Sequence, residues 1–316
     1  MNKELLVTGG AGFIGSNFIN YLLKNTDYHI TNVDKLTYAA SSHNMEKLNA
    51  SNRYRFFHVD IANENELETV FDTKYMAIIN FAAETHVDRS IINPDPFIHT
   101  NIKGTLNLLN YVLNEKAEKM IQISTDEVYG SLNEFDSPFT ENSHIAPNNP
   151  YSASKASADL LVRSYFKTYQ IPVIITRCSN NYGPHQHPEK LIPKVITQAL
   201  QNKEITLYGD GKNIRDWLYV EDHCRAIHLV LEHGSSGEIF NIGGTAEKTN
   251  KEVISYILTL LGKSEELIRY VPDRKGHDRR YAMNYDYIHS KIGWKPMTSF
   301  EEGIKETIKW YKNETR

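Results

Sequence analysis

A chain of 316 residues, 40% hydrophobic and 23% charged, has globular proportions and length enough for one large domain or two interleaved lobes, and its net charge of −4 excludes a nucleic-acid binder's basic footprint. No apolar run approaches the roughly 18 residues of a membrane helix, and the N-terminus enters a strand at Glu4-Leu5-Leu6-Val7-Thr8 without a signal peptide's basic start and apolar run. Cys178 and Cys224 stand apart, with no metal or redox spacing, so the expectation is a soluble cytoplasmic protein.

The first strand runs straight into Gly9-Gly10-Ala11-Gly12-Phe13-Ile14-Gly15, and a helix follows from about Phe13 to Lys24 with Ile14, Phe18, Tyr21 and Leu22 on one face. Gly10, Gly12 and Gly15 fit the G-x-G-x-x-G fingerprint, and Gly9, Gly12 and Gly15 fit its G-x-x-G-x-x-G relative. Glycines here allow a tight turn and bring pyrophosphate against a helix N-terminus. A plain strand–helix turn would show the same spacing. The second strand, His29 to Val33, however, ends in Asp34, about 20 residues on, where a carboxylate takes a ribose 2′-hydroxyl. NAD is the expected cofactor, and Lys35 beside Asp34 leaves NADP open.

Strands and helices keep alternating. A strand near Tyr54–Phe57 leads to Asp60-Ile61, and an amphipathic helix passes through Leu67 and Phe71. The apolar strand Ala77 to Phe81 precedes Ala82-Ala83-Glu84-Thr85-His86, whose small alanines suit backbone lying against a nicotinamide ribose. A long helix spans about Pro96 to Asn114, and the strand at Ile121 ends in Ser124-Thr125-Asp126-Glu127. This order predicts an α/β fold: a Rossmann-type doubly wound parallel sheet over 1–177, interleaved with a smaller α/β substrate-binding lobe over 178–316. Ligands bind beyond the carboxyl ends of such strands. Adjacent carboxylates there can act as acid and base if their surroundings split their pKa values, although an Asp-Glu pair is more often a solvated turn.

The spacing Y-x-x-x-K occurs three times. Tyr208/Lys212 spans a Gly-Asp-Gly turn, and Tyr287/Lys291 lies far past the sheet. Tyr151 and Lys155 instead head a helix and share one face, one loop after the hydroxyls of Ser124 and Thr125. A lysine ammonium and an oxidised nicotinamide would favour the tyrosine phenolate, making a base from a group of reference pKa about 10. His185-Gln186-His187 invites a metal reading, but no third ligand stands at useful spacing and no metal is expected.

The motifs just quoted resemble the extended short-chain dehydrogenase/reductase family, and within it the dTDP-glucose 4,6-dehydratases. The likeness covers nearly the whole chain, through Asp34 to Ala39, Ala82 to Ser90, Cys178 to Pro184, Pro188 to Pro193, Ile214 to His223 and Asp273 to Tyr281. Thr125-Asp126-Glu127 is its specific part, since related epimerases and decarboxylases usually carry small hydroxyl residues there. Departures are modest: Thr85 stands for serine, Phe240 for tyrosine and Lys275 for proline, and the Gly130–Tyr151 segment is shorter than in many members.

The resemblance implies an internal redox elimination. Tyr151 would deprotonate a sugar 4-hydroxyl positioned by Thr125 as hydride leaves C4, with Lys155 on the ribose. Glu127 would remove the C5 proton, Asp126 would protonate the departing C6 hydroxyl, and the hydride would return to C6. It assigns NAD contacts to Gly9, Gly12, Phe13, Ile14, Gly15, Asp34, Lys35, Leu36, Thr37, Asp60, Ile61, Phe81, Ala82, Ala83, Glu84, Thr100, Tyr151, Lys155 and Asn181. Sugar-nucleotide contacts fall to Thr85, Thr125, Asn180, Lys190, Leu191, Thr206, Tyr208, Arg215, Asn250, Asp273, Arg274 and His277, with Arg215 and Arg274 as diphosphate clamps. Rival readings are the same elimination on UDP-glucose, a 4-epimerase that leaves Asp126 and Glu127 without a task, and an NAD sensor without turnover. Trp217 and Tyr219 read as packing residues. Leu106, Leu109, Leu160 and Leu161 would pack either on the sheet or across a homodimer's four-helix bundle.

Overall fold

The computed structural model describes residues 3–46 and 48–314. In chain order its strands are β1 (Glu4–Thr8), β2 (His29–Asp34), β3 (Tyr54–His58), β4 (Ala77–Asn80), β5 (Met120–Thr125), β6 (Val173–Cys178), β7 (Asn180–Tyr182), β8 (Ile205–Tyr208), β9 (Ile214–Tyr219), β10 (Ile239–Ile242), β11 (Glu247–Thr249) and β12 (Ile268–Val271). Seven of them form one parallel sheet in the order β10-β6-β5-β4-β1-β2-β3. Strand order reverses between β1 and β4, which makes a ligand crevice above that point.

The strands read as unbroken apolar runs because both faces of the sheet are covered. Leu5, Val7, Ile79 and Ile121 pack against Phe18, Ile19 and Leu22 of the helix Phe13–Asn25 and Ile227 and Val230 of the helix Val220–His233. Leu6, Ile78 and Met120 face the other way, onto Leu108, Leu109, Val112 and Val162. A third core lies in the smaller lobe, where β11-β9-β7 and the pair β12-β8 meet the helices Leu191–Leu200, Asn250–Leu261 and Phe300–Glu314. Trp217 is buried there and Tyr219 packs against it. β10, well past residue 177, returns to pair with β6.

Two helices differ from expectation. The one expected through Leu67 and Phe71 spans only Glu64–Glu68, because Thr69 turns its hydroxyl onto the Glu66 carbonyl (2.7 Å) and ends the helix. Both apolar residues still reach the core. The long helix is Asp95–Phe97, a π-helical stretch Ile98–Gly104 and then Thr105–Leu113. Asn101 lies in that widened stretch, its side chain bonded to the backbone of Glu84 (2.9 and 3.1 Å) and to the Ser154 hydroxyl (2.8 Å). Widened turns of this kind gather at functional sites; this one ties the helix to the cleft wall. Among the described residues no helix is long and apolar enough to cross a membrane.

Candidate active site at the carboxyl ends of the strands

The crevice above the sheet holds a cavity of about 290 Å³. Every residue expected to contact NAD lines it except Leu36, and so do Thr125, Asp126, Glu127, Thr85, Asn180 and Lys190. Leu36 has φ +54°, exposes its side chain, and gives its backbone N–H to Asp34 Oδ1 at 2.8 Å.

The glycines fit a dinucleotide cradle. Gly9 has φ +69°, and a Cβ there would lie 2.6 Å from the Ala82 nitrogen. At Gly15 it would lie 2.4 Å from the Gly9 carbonyl oxygen. Gly9→Ala should therefore weaken NAD⁺ binding at least about tenfold in calorimetric titration, since left-handed backbone strain alone costs about 1–2 kcal/mol. Asp34 closes the end of β2 by accepting from the backbone N–H of Ala11 as well (3.0 Å). Burial pushes its carboxyl up, opposed by these two N–H groups. The Lys35 ammonium turns to the Thr100 hydroxyl (2.7 Å) and stands 3.7 Å from both Asp60 and Glu84. Those oxygens engage it in place of a 2′-phosphate.

The reacting end is built on the 3₁₀ turn Asp126–Tyr129 that follows β5. Thr125 caps this turn, accepting from Glu127 N–H at 3.3 Å and donating to Asp126 Oδ1 at 3.1 Å. Asp126 is 1% exposed. Burial and then the adjacent Glu127 charge push its carboxyl well above the usual range. Burial also raises Glu127, but Arg215 and Lys190 pull it back. Both carboxyls are thus raised, Asp126 the further, which leaves Glu127 the more acidic of the pair.

Tyr151 enters from the helix Pro150–Tyr169, whose start is fixed by Asn149 (accepting from Ser152 N–H at 2.9 Å) and by Pro150 in the first turn. Burial, then the charges of Glu127 and neighbours, push the Tyr151 phenol well up, and the Thr125 hydroxyl lowers it. Lys155 donates to the Ile123 carbonyl at 2.6 Å, and its own burial lowers its affinity for a proton.

Sequence reasoning missed the segment that crosses the cleft. Asn17 donates to the Pro184 carbonyl (3.0 Å), His185 meets Asn44 (2.7 Å), Lys190 donates to the Thr85 carbonyl (3.1 Å), and Glu189 stands 3.5 Å from His86 and 3.7 Å from Arg89. Gln186, His187 and Glu189 line the cavity as a result. Among the described residues no group of three or more His, Cys, Asp or Glu side chains is placed to hold a metal ion. Cys178 also lines the cleft; burial pushes its thiol up to about 12.

Leu191, Thr206, Tyr208, Arg215, Asn250, Asp273, Arg274 and His277 lie outside the cavity lining, in the smaller lobe. The guanidinium of Arg274 lies 4.6 Å over the Tyr208 ring and 3.6 Å from Asp88, and His277 meets Asp273 at 2.6 Å. Arg215 and Lys190 connect this group to the cleft, because both act on Glu127. An arginine and a lysine that act on one member of a carboxylate pair suit an anionic substrate held close to an acid and a base.

The chain matches the family model described as GDP-mannose 4,6 dehydratase over residues 6–307. It is 48% identical over 339 residues to dTDP-glucose 4,6-dehydratase of Salmonella typhimurium, covering 99% of this chain and 94% of that one. It is also 48% identical over 308 residues to the low-salt glycan biosynthesis protein Agl12 of Haloferax volcanii, covering 98% of each. Among solved structures, DesIV, a dTDP-glucose 4,6-dehydratase from Streptomyces venezuelae crystallised with NAD, matches with a TM-score of 0.95 at 45% identity, covering 98% of this chain and 97% of that one.

Proposed function

This chain belongs to the nucleotide-sugar 4,6-dehydratase family, and from that premise we propose that it converts dTDP-glucose to dTDP-4-keto-6-deoxyglucose with NAD as cofactor. The observation that carries the reading is the Asp126–Glu127 pair at the end of β5, with Asp126 buried and its carboxyl raised further than that of the half-buried Glu127. Thr125 orients the sugar 4-hydroxyl and Tyr151 takes its proton. NAD⁺, when bound, accepts the C4 hydride and gives it back at C6, so it ends as it began. Lys155 holds the ribose. Oxidation at C4 acidifies the C5 proton, which Glu127 removes, while Asp126 hands its proton to the departing C6 hydroxyl. Arg215 and Arg274 clamp the diphosphate.

Incubating the purified protein with dTDP-glucose and NAD⁺ tests this. The expected product has lost one water, with no net NADH. Water loss from UDP-glucose alone would move the substrate, and formation of the galactose epimer would overturn the roles of Asp126 and Glu127.

The reading includes a cytoplasmic homodimer. Ile92, Ile98 and Leu160 are exposed apolar side chains on the helical layer that flanks Tyr151, which supports pairing there. Leu109 takes no part, being in the core, while Leu106 and Leu161 are half-buried. Sedimentation as a monomer at micromolar concentration would remove the homodimer.

A further inference from the structure

Resting on the cofactor reading above, we infer that His223 is a positioning residue, whose imidazole holds the Asn181 side chain in the wall of the NAD cleft. Asn181 lines the cavity, and His223 stands behind it, fully buried and outside the lining. The topology brings the two together. β7 and β9 pair in parallel with Asn181 opposite Leu218, and the helix Val220–His233 starts immediately after β9. The first turn of that helix therefore lies beside the end of β7, and His223 Nδ1 meets Asn181 Oδ1 at 3.0 Å.

The hydrogen bonds around the pair fix where the protons lie. Ser179 is held by its N–H, which donates to the Ile242 carbonyl at 3.1 Å, and by its hydroxyl, which donates to Asp216 Oδ2 at 2.6 Å. Its carbonyl accepts from Asn181 Nδ2 at 3.0 Å. A carbonyl only accepts, so the Asn181 amide turns its nitrogen to Ser179 and its oxygen to His223. That oxygen needs a donor, which puts the imidazole proton on Nδ1. Nε2 is then a bare acceptor, and among the described residues it has no hydrogen-bond partner. A buried acceptor without a partner is tolerated more readily than a buried N–H without one. Burial pushes the ring's pKa down to about 3, so it carries a single proton. Asn181 is tied to the crossing segment separately, through its main-chain oxygen, which accepts from Gln186 Nε2 at 2.9 Å. A change confined to the amide leaves that bond in place.

Calorimetric titration of the full chain with NAD⁺ tests the assignment. His223→Leu fills the space without a donor, and the freed Asn181 amide should weaken NAD⁺ binding about tenfold. His223→Asn packs less well but puts an amide nitrogen where Nδ1 stands, and should bind NAD⁺ within about threefold of wild type. Melting temperatures should run the other way, with the leucine variant the more stable, because it also removes the partnerless Nε2. In an Asn181→Ala background His223→Leu should weaken binding by less than about twofold further, since its effect passes through the missing amide. Affinity that follows melting temperature, unchanged affinity in His223→Leu, or its whole loss repeated in the Asn181→Ala background overturns the proposal. If His223→Leu does not fold, nitrogen NMR of the wild-type histidines decides together with His223→Asn. A proton on Nδ1 and near-wild-type binding by that variant support the proposal; a proton on Nε2, or weak binding by that variant, overturns it. A wild-type chain that takes up no NAD⁺ would instead refute the cofactor site itself.

Discussion

Glu127→Gln is expected to stop elimination while leaving the first hydride transfer in place. The amide keeps the size and hydrogen bonding of the side chain but cannot take the C5 proton. Oxidation at C4 depends on Thr125 and Tyr151, which remain. Enzyme-bound NADH should therefore accumulate, seen by its near-ultraviolet absorbance, while product formation falls about 10²–10⁴-fold, the usual worth of a positioned base. The partition matters more than the loss. A variant that neither oxidises nor eliminates would place Glu127 in binding, and one that turns over normally would remove it from the reaction. Asp126→Asn should also accumulate NADH, because the neutral amide resembles the protonated carboxyl but has no acidic proton for the leaving hydroxyl.

Arg177→Met is expected to cost about 3–5 kcal/mol of stability, measured by denaturant unfolding, because it leaves a buried charge uncompensated. Arg177 and Asp159 are 3% and 1% exposed at their side chains and meet at 2.9 Å. Asp159 Oδ1 already has no hydrogen-bond partner among the described residues, so the guanidinium is its main support. Arg177 also donates to the Tyr129 hydroxyl (2.8 Å), which donates in turn to Asn241 Oδ1 (2.8 Å). Tyr129 ends the turn that carries Asp126 and Glu127, so activity should fall with stability. Arg177→Met combined with Asp159→Leu should recover much of the unfolding loss, since replacing both members removes the stranded charge. Equal instability of the single and double variants would show packing, not charge, to be the cause.

The parts of the site legible in the sequence are those built within one local stretch. The glycine turn, Asp34, Thr125-Asp126-Glu127 and Tyr151/Lys155 each follow a strand or head a helix, and backbone geometry fixes where such residues point. Contacts made between lobes leave no such trace. Glu189 reaches His86 and Arg89 across the cleft, and Arg215 lies on the Tyr281 ring, yet neither pairing has a spacing to be read. Spacing is limited in another way as well. Helical spacing places two side chains on one face, but Lys155 finds a main-chain acceptor, the Ile123 carbonyl, deeper in the core. The homodimer leucines show the same limit, since periodicity does not tell the sheet-facing Leu109 from the outward Leu160.

The return of β10 to β6 also sets the order in which the enzyme can mature during synthesis. A nascent chain that has reached only Cys178 presents β6 as a bare edge, with its row of unpaired main-chain groups open to other chains. It also lacks the helix Val220–His233 that covers Phe18, Ile19 and Leu22. The cradle residues are made first, but their sheet is sealed only after most of the smaller lobe has left the ribosome. Translation paused between those points would leave that edge and the uncovered helix face exposed together.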